Sequence, residues 1–207
     1  MVSSIIVAAL TCYLLGNLNG AFLTSAMLHD DVRAHGSGNA GLTNFIRSYG
    51  PGKSLMVIAV DAGKAILACL TAGLLLTPYG LPLEGRVLGG LCVILGHDFP
   101  VLLGFKGGKG ILSGLFIALM TDWRIGLLIL AVFIVTYLLT QYVSLGSVLS
   151  AAAFAVGFMV FHHDNLLVML AGIFMGLLTI FMHHGNIARL LRGEERKTNL
   201  FGKGQKL

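Results

Sequence analysis

Three polar clusters interrupt an otherwise apolar chain, and each gathers residue types suited to holding an anion. Gly36 to Arg47 reads Gly-Ser-Gly-Asn-Ala-Gly-Leu-Thr-Asn-Phe-Ile-Arg, and Gly96 to Gly110 reads Gly-His-Asp-Phe-Pro-Val-Leu-Leu-Gly-Phe-Lys-Gly-Gly-Lys-Gly. His183 to Lys197 reads His-His-Gly-Asn-Ile-Ala-Arg-Leu-Leu-Arg-Gly-Glu-Glu-Arg-Lys. In the first cluster Ser37, Asn39, Thr43 and Asn44 can donate hydrogen bonds around Gly38, and the Arg47 guanidinium can clasp a phosphate through two parallel N–H bonds. In the second, Gly107 and Gly108 let backbone N–H groups approach an anion without Cβ obstruction, while Lys106 and Lys109 supply charge. A helix beginning after Gly110 points its positive end at the same spot. Two histidines fall inside the clusters, His97 and His183, and His183 has the chemistry of a general base or hydrogen-bond donor. Arg189 and Glu195 add charge to the third. Each cluster also has a purely structural reading: a capping loop for the first, a glycine-rich turn flanked by lysines for the second, and a lipid-facing basic stretch for the third.

The elements that must position these groups are set by composition. Of the 207 residues 56% are hydrophobic and only 11% charged, and the mean hydropathy is +0.87. A soluble domain of this size needs far more polar surface, so the chain reads as an integral membrane protein of the all-α class. Apolar runs fall at about 3–28, 54–77, 86–103, 110–121, 124–140, 144–161 and 165–183. Most approach the roughly 20 residues that cross a bilayer, whereas 110–121 is short enough to be re-entrant.

Charge decides between those alternatives. If all seven runs cross, Arg33, Arg47, Lys53, Lys106, Lys109 and every basic residue from Arg189 to Lys206 share one face. Of the 14 lysines and arginines only Arg86 and Arg124 lie opposite, with Lys64 inside a span. By the positive-inside rule the crowded face is cytoplasmic, which predicts a seven-helix bundle with its N-terminus outside and its C-terminus inside. The whole chain, 1–207, reads as one membrane domain, and all three clusters open on its cytoplasmic side. Asp61 and Lys64, three apart on one helix face, form either a structural ion pair or part of the site. Cys12, Cys69 and Cys92 lie in apolar runs and form no zinc-like CxxC pattern.

The ordered motifs Gly-Ser-Gly-Asn-x-Gly-x-Thr-Asn-x-x-Arg, Gly-His-x-Phe-Pro-x-x-Leu-x-Phe-Lys-Gly-Gly-Lys-Gly and His-x-x-Asn-Ile-x-Arg-Leu-x-x-Gly-x-Glu-x-Lys closely resemble the three signatures of the bacterial acyl-phosphate:glycerol-3-phosphate acyltransferase family, PlsY. The likeness spans essentially the whole chain and extends to Asp61-x-x-Lys64 and Tyr142-Val-Ser-Leu-Gly-Ser147. It implies a seven-helix inner-membrane enzyme that moves a fatty acyl group from acyl phosphate to glycerol 3-phosphate, releasing lysophosphatidic acid and phosphate. By that resemblance Ser37, Lys106, His183 and Asn186 are the expected catalytic residues. Gly38, Asn39, Thr43, Asn44, Arg47, Lys64, His97, Gly107, Gly108, Lys109, Ser144, Arg189 and Glu195 are expected to bind substrate or phosphate. No cofactor, metal or nucleic acid is called for. The implied partners are the two substrates, membrane lipids and an enzyme that supplies acyl phosphate. The chain departs from the family pattern at Gln141 and Met182, where arginines commonly stand. Two competing readings remain at this level: a transporter of a phosphorylated solute, in which the same cations bind without chemistry, and a non-catalytic family member serving as a scaffold.

Overall fold

The structure is a computed structural model that describes residues 1–198; Lys203 and Lys206, counted above among the cytoplasmic charges, lie outside the described residues. Among the described residues every regular element is helical, and the α-helices run in the order α1 (Val2–Gly16), α2 (Gly20–Ala26), α3 (Leu42–Tyr49), α4 (Ser54–Leu76), α5 (Pro82–Asp98), α6 (Ile111–Thr121), α7 (Trp123–Thr140), α8 (Val143–Phe161), α9 (Leu166–Met182) and α10 (His184–Leu191).

Four stretches are long and apolar enough to cross a membrane: Pro51–Tyr79, Pro82–Leu103, Trp123–Thr140 and Val143–Phe161. Two bent pairs, α1 with α2 at 46° and α9 with α10 at 56°, bring the number to six if each is one span. The exception is α6. Its 11 residues rise only about 16 Å at 1.5 Å per residue, roughly half the hydrocarbon thickness.

Helices without polar faces pack here through small residues, because lipid offers apolar side chains no worse a home than a neighbouring helix does. A Cβ on Gly89 of α5 would stand 2.3 Å from the Ala68 carbonyl oxygen of α4, and one on Gly96 would stand 2.1 Å from that of Tyr13 in α1. These three helices therefore touch backbone to backbone around Ala8, Cys12, Ala65, Ala68 and Ala72, all fully buried.

The first apolar run, expected as one helix over 3–28, is broken at Asn17–Asn19. The break has a visible cause. Asn19 caps α2 by accepting from the Phe22 N–H at 2.9 Å, and its amide nitrogen donates to the Ala40 carbonyl. Asn17 donates to Tyr13 O and accepts from Leu102 N–H. Interrupting a helix inside a membrane protein exposes carbonyls and N–H groups that lipid cannot satisfy. Here α4 supplies the partners: Lys64 Nζ donates to Gly16 O at 3.3 Å and Leu18 O at 2.7 Å, while Asp61 Oδ1 accepts from Gly20 N–H at 3.1 Å. The two side chains pair with each other at 2.9 Å and are both about 3% exposed. The Asp61–Lys64 spacing is thus a clamp on the two ends of a helix break.

Candidate active site

The three polar clusters converge on a single cavity of about 460 Å³ whose wall draws residues from α3 to α10, from the loops before α3 and α6, and from the segment after α10. Of the residues expected at the site, Ser37, Asn39, Thr43, Asn44, Arg47, His97, Lys109, Ser144, His183, Asn186 and Glu195 line it. Gly38, Lys64, Lys106, Gly107, Gly108 and Arg189 do not.

The first cluster is a loop folded around one side chain. Asn44 is buried, accepts from the Ser37 N–H at 2.9 Å, and places its amide nitrogen 3.0 Å from the carbonyls of Val32, His35 and Asn39. Its hydrogen-bonding groups serve the loop, so Asn44 shapes the wall that it lines. Gly36 and Gly38 turn the loop with φ of +59° and +70°, conformations that L side chains rarely adopt.

The second cluster is held by His97. A Cβ on Gly107 would meet the His97 carbonyl oxygen at 2.0 Å, and one on Gly108 would meet the His97 ring at 2.1 Å; the Gly108 N–H itself donates to His97 O at 3.0 Å. Both glycines are explained by this packing, and the Gly108 N–H has its partner within the protein. His97 Nδ1 lies 2.6 Å from Lys64 Nζ, which donates to it. The helix-break clamp and the glycine-rich loop are therefore one connected network. Lys64, expected to touch substrate, has its ammonium occupied by Asp61, His97 and two carbonyls, and does not reach the cavity. Lys106 is exposed on the outer side of the loop, and it is Lys109 that faces inward.

The third cluster completes the wall. The Asn186 amide is oriented from both sides: its oxygen accepts from Lys109 Nζ, and its nitrogen donates to Glu195 Oε1 at 2.8 Å. Glu195 Oε2 accepts from Arg189 Nε at 2.6 Å. A carboxylate repels a phosphate, so Glu195 is better described as the group that fixes Asn186 and Arg189 than as a phosphate ligand. Burial alone would raise the Glu195 carboxyl, but hydrogen bonds from Asn186 and Arg189 hold it below the ordinary glutamate value. Lys109 is pushed below the usual lysine value by burial and by the cations of Arg189 and Arg47, with Glu195 opposing. A half-buried group of cations with one carboxylate between them is a place that favours a second anion.

His183 sits at the α9–α10 bend. Its Nδ1 lies 2.8 Å from the Thr179 carbonyl, which can only accept, so Nδ1 carries the proton and Nε2 of the neutral ring keeps a lone pair. The Ser144 hydroxyl is buried on the cavity wall beside Glu195 and helps to keep that carboxyl ionised. Arg47 Nε donates to Thr198 Oγ1 at 2.9 Å and Nη2 to Arg196 O at 3.2 Å, which ties α3 to the end of the described chain.

Sequence reasoning missed Ser147, Ser150 and Thr179, which extend the lining downward from Ser144 and His183. The signal was present. Ser144, Ser147 and Ser150 recur at three-residue spacing, which puts them along one side of a helix.

A family profile described as glycerol-3-phosphate acyltransferase matches residues 6–193. The chain belongs to this family. Among curated glycerol-3-phosphate acyltransferases, that of Finegoldia magna is 37% identical over 194 residues, covering 93% of this chain and 96% of its own length. That of Clostridioides difficile is 37% identical over 196 residues, covering 94% and 95%. A crystal structure of PlsY (YgiH), an integral membrane glycerol 3-phosphate acyltransferase in its glycerol 3-phosphate form, aligns with a TM-score of 0.85 at 30% identity, covering 96% of this chain and all of that one. A second, in the form with lysophosphatidic acid, aligns at 0.80. This acyltransferase is accordingly a multi-pass membrane protein.

Proposed function

We propose that the protein transfers a fatty acyl group from acyl phosphate to glycerol 3-phosphate, giving lysophosphatidic acid and inorganic phosphate. One observation carries the reading: a single cavity joins a cationic, amide-bearing end at Arg47, Lys109 and Asn186 to an apolar end lined by Ile129, Phe133, Phe154 and Met175. Two phosphate-bearing substrates, one of them with a hydrocarbon tail, need that combination, and a phosphorylated solute in transit has no use for the apolar limb. Acyl phosphate is already activated. The protein's task reduces to aligning the glycerol hydroxyl with the acyl carbonyl and offsetting charge on the departing phosphate.

In this scheme the hydroxyl oxygen forms the new ester bond as the bond from the acyl carbon to the phosphate oxygen breaks, and the hydroxyl proton ends on the phosphate. His183 Nε2 accepts a hydrogen bond from the attacking hydroxyl, the Ser144 hydroxyl donates to a substrate oxygen, and Lys109 and Arg47 hold phosphate. Ser37, exposed at the cavity edge, and Asn186 complete the binding wall, while Lys106 on the outer face of the loop draws anions toward it.

Purified protein given acyl phosphate and labelled glycerol 3-phosphate is expected to form lysophosphatidate, and His183→Ala is expected to reduce kcat by about 100-fold or more. Absence of product, together with glycerol 3-phosphate uptake by proteoliposomes, would replace the enzyme with the transporter.

The charge distribution supports seven crossings, with α6 as a short seventh, the N-terminus outside and the cavity open to the cytoplasm of a bacterial inner membrane. A cysteine placed at Ser3 in a variant lacking the three native thiols should react with an impermeant maleimide in intact spheroplasts. Reaction only after lysis would reverse the orientation.

A further inference from the structure

We propose that the apolar limb of the cavity measures acyl chain length, with Phe154, Met175 and Ile129 as the stop that meets the terminal methyl group. The proposal rests on the acyl-transfer reading above and concerns which donors the same site selects. From the polar end, Ser144, Ser147, Ala151 and Phe154 descend along α8, all lining the cavity. Ten residues at 1.5 Å each make that wall about 15 Å long. His183, Thr179, Gly176 and Met175 descend beside it from the α9–α10 bend. Below Ser144, the two hydroxyls that α8 carries are turned to backbone: Ser147 Oγ donates to Val143 O at 2.9 Å and Ser150 Oγ to Ile129 O at 3.0 Å. With those two groups satisfied by backbone, a methylene chain can lie against the α8 side of the limb without burying an unmet donor there.

The lower end is closed. Ile129 and Phe154 are 5% exposed and Met175 is 1% exposed. Behind Phe154 the ring of Phe158 stands 4.9 Å away, and Phe158 fills the space beside Gly172, where a Cβ would meet it at 2.1 Å. The seam between α8 and α9 is closed at the same depth, because Gly176 lies so close to Ala151 O and the Ala155 methyl that a Cβ would stand 2.8 and 2.9 Å from them. A chain longer than the limb must therefore buckle or force side chains off their rotamers, and a shorter one leaves space unfilled.

The test is the profile of kcat/KM across a saturated series of acyl phosphates of even chain length. Phe154→Ala is expected to move the optimum to longer chains by about two to four carbons, with relative kcat/KM rising about fourfold for each methylene newly seated. Ala151→Leu, whose added bulk enters the limb one turn above the stop, is expected to move it to shorter chains by about two carbons. Should Phe154→Ala not fold, Ala151→Leu alone carries the test. Profiles that coincide with the wild type, with product still formed, overturn the stop and leave the acyl-transfer reading standing. Absence of product in the wild type removes both.

Discussion

Lys109→Met will lower kcat/KM for acyl transfer by about 100-fold or more, the cost of losing a preorganised cation at a developing phosphate charge. The reason is its position. Lys109 is the one lysine of the glycine-rich loop on the cavity wall, its ammonium is half withdrawn from water, and Asn186 presents an amide oxygen to it. Methionine keeps most of the unbranched stem and removes only the charge, so folding should survive. Inorganic phosphate offers a second readout that needs no turnover: it should raise the Tm of the wild type in detergent, as any ligand of the native state does, and raise that of the variant much less. Equal kinetics and equal phosphate protection in both proteins would show that the loop does not bind phosphate through Lys109.

Lys64→Met will cost about 3 to 5 kcal/mol of stability, because it leaves the Asp61 carboxylate buried without its partner and strips two carbonyls at the helix break of their donor. In detergent this appears as a large fall in Tm and in membranes as reduced yield. The double variant Asp61→Asn/Lys64→Met should recover part of the loss, since it removes the stranded charge, and the difference from additivity measures the coupling. A Lys64→Met protein with wild-type Tm would show that the break is held by something else. Activity should fall in the single variant as well, because Lys64 bonds His97 and His97 carries the loop on which Lys109 sits.

These two residues also show how far the sequence could be read. The three clusters stood out because glycines, amides and cations are costly inside an apolar chain and so mark a purpose. Their convergence followed from charge asymmetry and from the short length of the chain. What local pattern could not supply was direction. Lys106 and Lys109 look equivalent in Lys-Gly-Gly-Lys, and only the packing of Gly107 and Gly108 onto His97 turns one outward and the other in. Asp61 and Lys64 were legible as a pair but not as a clamp, because the broken helix they hold lies more than 40 residues earlier. The break was itself hidden, since Asn17 and Asn19 are two polar residues in a run apolar enough to span. Glu195 read as one of several charges near the end of a basic stretch, and its role emerges only when Asn186 and Arg189 are seen to share it.

The bond from Arg47 to Thr198 joins residues 151 apart in the chain, and Glu195 enters the cavity from the same late segment. Helices α1 to α9 can all be inserted while this segment is still unmade. The cluster of Arg47, Lys109 and Arg189 then has no carboxylate among its cations, and Asn186 has a partner on one side only. The reaction chamber is thus finished by a stretch made after all of the helices that enclose it, so a product truncated or stalled before Glu195 can sit fully embedded in the bilayer and still lack a working centre.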